Sequence, residues 1–141
     1  MTLIADAGTL FAQADADDPE HEAVVALLEA ESGPLVTSQV AVAEADYLIL
    51  TRLGVEVELA FLDDLAAGTF VVDCLDRKEL GAARDLARRY RDLELGLADA
   101  SLAVLADRHR TERIASFDER AFRAITPLRG GAFTILPADS Q

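Results

Sequence analysis

The sequence predicts an α/β fold: a three-layer α/β/α sandwich on a mainly parallel central sheet of about five strands, with residues 1–141 forming one domain. Three observations carry that expectation. Short apolar runs alternate with longer stretches of helical periodicity along the whole chain. Its 141 residues match the size of one typical domain. No internal repeat and no linker rich in Pro, Gly or Ser divides it. Strands that alternate with helices pair in parallel, and their crossover helices cover both faces of the sheet.

Leu3-Ile4-Ala5 reads as a first buried strand ending at Asp6, followed by a turn at Gly8 and a short helical piece from Leu10 to Ala14. Asp18-Pro19-Glu20 opens a helix, with Asp18 as its cap, Pro19 at the first helical position and Val24, Leu27 and Leu28 on one apolar face. Ser32-Gly33-Pro34 stops it. Leu35-Val36-Thr37 is the second strand, and Ser38 caps a helix from Gln39 to about Arg52 that ends at Gly54. Val55 to Ala67 repeats its apolar residues at helical spacing, and Thr69 to Val72 reads as a third strand. Asp76 caps a helix to about Tyr90, with Leu80, Ala83, Leu86 and Ala87 expected inward and Arg84, Arg88, Arg89 and Arg91 mostly outward. Leu97 to Arg108 is a further helix, Arg113 to Ser116 a fourth strand, Glu119 to Ala124 a short helix and Phe133 to Leu136 the last strand.

Composition narrows the function classes. With 51% apolar residues the chain is no disordered acidic tail. Cys74, the single cysteine, excludes a disulfide framework and a cysteine-based zinc cluster. The longest run without a charge, Ser32 to Ala43, is 12 residues, short of the ~20 needed for a membrane span. With no basic segment ahead of an apolar one at the N-terminus, the expected location is the cytoplasm. The net charge of −13 is unevenly placed: residues 1–70 hold 14 Asp/Glu and one basic residue, Arg52, whereas residues 71–141 hold 12 acids and 12 bases. A surface so acidic repels a polyanion on average, so a nucleic-acid role requires a local basic patch, expected in the second half.

In parallel sheets ligands sit beyond the carboxyl ends of the strands, where this chain carries carboxylates. Asp6 follows the first strand, Asp118 follows the fourth, and Asp99 opens a helix. Each alone also reads as an ordinary cap or dipole partner. Glu44 is harder to explain that way, since its helical neighbours at 40, 41, 47 and 48 are Val, Ala, Tyr and Leu and a carboxylate on an apolar face is costly. Asp46 has apolar helical neighbours too, about 200° around the helix, and periodicity does not choose between the two. Carboxylates converging at one end of a sheet repel one another. A divalent metal resolves this, and an all-oxygen set selects Mg²⁺, or Mn²⁺, over zinc. His21 and His109 have no partner at ligand spacing and read as surface residues, and neither a nucleophile triad nor a phosphate loop is present. Acid-only chemistry at a metal suits phosphoryl transfer.

Four segments carry a resemblance: Ile4 to Leu10, Thr37 to Glu44, Leu97 to Ala103, and Ser116 to Phe122. In this order and at these distances the chain resembles the PIN-domain ribonucleases, and within them the VapC-type toxins of bacterial toxin-antitoxin pairs. The resemblance implies a PIN-like fold and metal-dependent endoribonuclease activity on RNA. It also implies a metal-binding acidic cluster of Asp6, Glu44, Asp99 and Asp118, which favours Glu44 over Asp46. Thr9 and Ser116 fall where the family often has small hydroxyl residues beside the metal. Gly8 stands where a Ser or Thr is frequent, and Ser116-Phe117-Asp118 replaces a Thr-x-Asp pattern. The implied partners are a VapB-like antitoxin and a second copy of the chain in a homodimer.

Two basic groups are candidates for an RNA path: Arg84, Arg88 and Arg89, and Arg108 with Arg110. Both also read as solvated helix faces paired with nearby acids. A dehalogenase-type phosphatase needs a second Asp where Gly8 stands. A phospho-acceptor receiver needs a Lys after its fifth strand, and the one lysine, Lys78, is early in a helix. The remaining alternative is a catalytically idle PIN-like module that binds a protein partner or RNA.

Overall fold

The computed structural model describes residues 1–140, and Gln141 lies outside them. Its elements are β1 (Leu3–Ala5), α1 (Ala7–Ala14), α2 (His21–Ala30), β2 (Leu35–Ser38), α3 (Gln39–Leu53), α4 (Val55–Ala66), β3 (Val71–Asp73), α5 (Arg77–Arg89), α6 (Gly96–Arg108), β4 (Arg113–Ala115), α7 (Glu119–Ala124) and β5 (Thr134–Leu136), with one 3-10 turn at Arg91–Leu93. All five strands are parallel, in the order β3-β2-β1-β4-β5.

That order fixes where a ligand goes. The chain steps from β1 to β2 and β3 on one side, then returns to place β4 and β5 on the other. Because such crossovers are right-handed, α1 to α4 cover one face and α5 to α7 the opposite face. The packing agrees: α1 lies against α2 and α3, α3 against α4, and α5 against α6, which also lies on β1 and β2. The crevice between β1 and β4, where the direction of winding reverses, is the topological switch point of the sheet.

The strands are short and wholly apolar at the centre because both faces are covered. Leu3, Ile4, Val36, Ile114 and Ile135 are fully buried, and Leu102 and Leu105 of α6 complete the core with Phe122, whose ring meets Phe133 edge-on at 5.8 Å. Every residue of α6 from Ala100 to Ala106 is buried, so Asp99 is held at the start of a helix that cannot shift without opening the core.

Several local expectations are corrected. Helix α1 begins at Ala7 rather than Leu10, because Asp6 accepts the Thr9 amide and caps it there. Asp18 does not cap α2: its carboxylate takes the Glu20 amide at 2.8 Å and its carbonyl the His21 amide at 3.0 Å, forming a turn that delays the helix to His21. Strand β3 starts two residues later than expected, at Val71. Leu80 is 46% exposed rather than inward, since only Ala83 and Leu86 of that face reach the core. The histidines are half-buried and bonded, His21 Nδ1 to the Ala12 carbonyl and His109 Nε2 to Asp73, both at 2.7–2.8 Å. Gly54, at φ 95°, ends α3 and starts α4 in a backbone conformation open to glycine. Among the described residues no helix is long and apolar enough to cross a membrane.

Candidate metal centre

Asp6, Glu44, Asp99 and Asp118 line one open cleft of about 450 Å³ at the switch point, with Phe11, Phe117, Leu48 and Arg52. Each acid arrives on a different element. Asp6 leaves β1 and caps α1, Glu44 sits one turn into α3, Asp99 lies in the first turn of α6, and Asp118 caps α7 after β4. The cap readings were therefore correct as local geometry and incomplete as an account of the residues. A cap at the carboxyl end of a parallel strand points its carboxylate into the crevice.

Buried hydroxyls beneath the acids lock the strand ends together. Ser116 donates its hydroxyl to Asp6 and accepts the Asp118 amide at 2.9 Å, so one side chain positions two of the four acids. The Thr9 amide donates to Asp6 at 2.8 Å, while the Thr9 hydroxyl is spent on the Ala115 carbonyl and ties α1 to β4. Thr37 donates to the Ala5 carbonyl at 2.9 Å. Ser101 donates to the Ala98 carbonyl at 2.6 Å, which leaves Ser38 as the donor in the 2.7 Å contact between the two serine oxygens. Ser38 also caps α3 by accepting the Ala41 amide at 3.0 Å. The elements bearing Glu44 and Asp99 are thereby joined through a buried polar pair that is fully satisfied.

The electrostatics are those of acids without a counter-ion. Among the described residues no salt bridge reaches any of the four, although seven arginine–carboxylate pairs form elsewhere. Burial, then the charges of Asp6, Asp118 and Glu44, push Asp99 up to about 7. Burial also pushes the Asp6 carboxyl up, against the hydrogen bonds from Ser116 and Thr9 that favour its ionised form. Among the described residues no three His, Cys, Asp or Glu side chains stand close enough to grip an ion as they lie. The four carboxylates line the cleft without closing on a common point. An all-oxygen, strongly negative, unpaired donor set fits a hard divalent cation such as Mg²⁺ or Mn²⁺.

Glu44 is exposed to the cleft rather than buried among its apolar neighbours, whereas Asp46 faces α4 with one carboxylate oxygen buried and unpaired. The basic residues fall differently from expectation. Arg84, Arg88 and Arg89 stand on the solvent side of α5, with Arg84 paired to Asp85 at 3.0 Å and Arg89 over the Tyr90 ring. Arg108 grips Glu79 with two nitrogens, the Cys74 carbonyl and Asp73, at the end of α6. It lies about 14 Å of helix rise from Asp99. Arg110 lines a separate depression of about 540 Å³ with Met1, Thr111 and Pro127, at the amino ends of β1, β4 and β5. None of the five lines the acidic cleft. The cations that do approach the acids were missed: Arg52, in the cleft itself, and Arg120, in an adjoining recess of about 70 Å³ beside Asp99 and Asp118. Position offered a signal for Arg120, two residues after Asp118. For Arg52 the signal was its place two turns after Glu44 on the same helix.

Residues 3–126 match the PIN domain family model. The chain is 42% identical over 135 residues to Ribonuclease VapC26 of Mycobacterium tuberculosis, an alignment covering 96% of this chain and all of that protein. Among solved structures it is similar to Mycobacterium tuberculosis VapC20, a toxin that cleaves the sarcin-ricin loop, with TM-score 0.77 at 18% identity over 82% of this chain and 89% of that one. It is also similar to a chain of the VapBC2 complex of Rickettsia felis, bound to a DNA fragment from its promoter, with TM-score 0.67 at 14% identity over 96% of this chain and 97% of that one. At these identities the two structures speak for the fold.

Proposed function

The chain belongs to the PIN-domain family, and from that premise we propose that it is an endoribonuclease, the toxin of a toxin-antitoxin pair, that hydrolyses RNA phosphodiester bonds in the cytoplasm with Mg²⁺ or Mn²⁺ held by Asp6, Glu44, Asp99 and Asp118. One observation carries the reading: four carboxylates from four separate elements line one cleft at the switch point, and among the described residues no cationic side chain pairs with any of them. A fold keeps so many unpaired acids together at a cost in stability, and an occupant of opposite charge offsets it.

A divalent cation bound there supplies Lewis acidity toward a phosphoryl oxygen and lowers the pKa of a bound water. The protein's residues divide the remaining work. Asp6, 5% exposed and fixed by Ser116 and Thr9, is the rigid oxygen donor. Asp99 balances between protonated and ionised forms near neutrality, so its oxygens accept a cation at the expense of a proton. Glu44 and Asp118, the exposed pair of the four, orient what enters the cleft. The relatives' names extend the reading to a VapB-like antitoxin as partner, and a homodimer is proposed with it. The test is cleavage of a panel of labelled RNAs. Cleavage should require Mg²⁺ or Mn²⁺, stop in EDTA, return when metal is added back, and be lost in Asp99→Asn. Cleavage that persists in EDTA or in the variant overturns the proposal.

A further inference from the structure

Arg52 is the only basic residue among the first 70, and the fold delivers it to the acidic cleft. It stands two turns beyond Glu44 on α3, with Leu48 between them, and all three line the same cleft. Its guanidinium carbon lies 5.8 Å from the centroid of the Phe11 ring, within cation-π range. Despite Asp18, Glu20 and the four central acids around the same cleft, Arg52 forms no salt bridge among the described residues. Stacking on an aromatic ring fixes a guanidinium while leaving its N–H donors available, and those donors match phosphate oxygens two at a time.

A chain of RNA laid along the cleft presents more than the phosphate being cut. The neighbouring phosphates lie beyond the reach of an ion held by the acids, and they meet a negative wall. The Arg52 backbone stands about 12 Å of helix rise along α3 from that of Glu44, at the end of the cleft lining away from Glu44, which suits a phosphate flanking the cut. We propose that Arg52, held by Phe11, is a positioning residue that binds a backbone phosphate flanking the cut and so sets the path of single-stranded RNA across the acidic cleft. This rests on the nuclease reading and goes beyond it by assigning the RNA a direction, along α3 from Glu44 toward Arg52.

Arg52 also sits in the last turn of α3, where any cation complements the helix dipole. The experiment separates that structural role from phosphate binding. Arg52→Ala, Arg52→Lys and Arg77→Ala, the last at an exposed position at the start of α5, are compared with wild type. The measurements are cleavage of a pool of short fluorescein-labelled single-stranded RNAs in Mg²⁺, its salt dependence, thermal unfolding, and Mn²⁺ binding.

For Arg52→Ala, KM should rise about tenfold with kcat within about twofold, and the dependence of log kcat/KM on log salt should become shallower by about 0.7, the loss of one single-strand phosphate contact. Arg52→Lys should recover part of the KM, and Arg77→Ala should match wild type. Wild-type KM and salt dependence in Arg52→Ala overturn the proposal, as does a loss that follows thermal stability or Mn²⁺ affinity, or an equal loss in Arg77→Ala. If wild type cleaves none of the RNAs, the nuclease reading fails and this proposal with it. Wild-type cleavage with an indifferent Arg52 overturns this proposal alone.

Discussion

Asp99→Asn should make the metal-free protein more stable above neutral pH, although it removes a residue assigned to the site. Folding raises the Asp99 pKa from 3.8 to about 7, through burial first and then through Asp6, Asp118 and Glu44. The folded state therefore holds this proton more tightly than the unfolded chain does. The cost of the ionised form is absent below about pH 4, grows as pH rises and is complete above about pH 7, at about 1.4 kcal/mol per pH unit across that window. Because Asp99 is only half-buried, screening by solvent roughly halves the total, to on the order of 2 kcal/mol. Asparagine keeps the shape and removes the charge. Urea unfolding in EDTA followed by circular dichroism should find the variant's midpoint about 1 M higher at pH 8, given a urea slope of about 2 kcal/mol/M, and equal to wild type near pH 4. A variant no more stable than wild type at pH 8, or a gap that ignores pH, refutes the claim that these acids repel one another in one site.

Mn²⁺ at a hundredfold excess over its Kd should stabilise wild type by about 2.7 kcal/mol and leave Asp99→Asn nearly unmoved; equal thermal shifts in both proteins would place binding elsewhere. Ser101→Ala breaks the buried link to Ser38 and should cost about 1–2 kcal/mol in denaturant unfolding, with no change meaning that the two helices are held without it. The neighbouring Asp46 carboxylate holds the Glu58 carboxyl above its ordinary range, so Asp46→Asn should lower the Glu58 titration midpoint in a carbon-13 NMR titration, and an unmoved midpoint contradicts the proximity of these two acids across α3 and α4.

The alternation of apolar runs with helical periodicity made the fold class legible, because both faces of a parallel sheet are buried and its strands are mostly apolar there. The ends of elements were less legible. Asp6 and Asp18 are both acids ahead of a helix, yet Asp6 caps α1 while Asp18 spends its carboxylate on the Glu20 amide. Which amide a short side chain takes depends on backbone geometry that spacing does not encode.

The candidate acids were readable as residues at strand ends, and the resemblance grouped them; their shared cleft follows from the switch point between β1 and β4. The cations were misplaced for a physical reason. Clusters along the sequence mark solvated helix faces, and the Arg84 to Arg89 group is such a face, whereas Arg108 answers a structural demand from Glu79 and Asp73. A charge count names Arg52 as the lone base of an acidic half but does not say where in the fold it stands. Helix α3 brings that one residue to the cleft.

The most direct test of the central claim is an anomalous difference map from a crystal of this protein soaked in Mn²⁺. The account predicts a peak in the cleft about 2.1–2.2 Å from carboxylate oxygens of Asp6 and Asp99, with Glu44 and Asp118 turned toward it directly or through water. No peak in that cleft at saturating Mn²⁺, or a peak held by other residues, contradicts it.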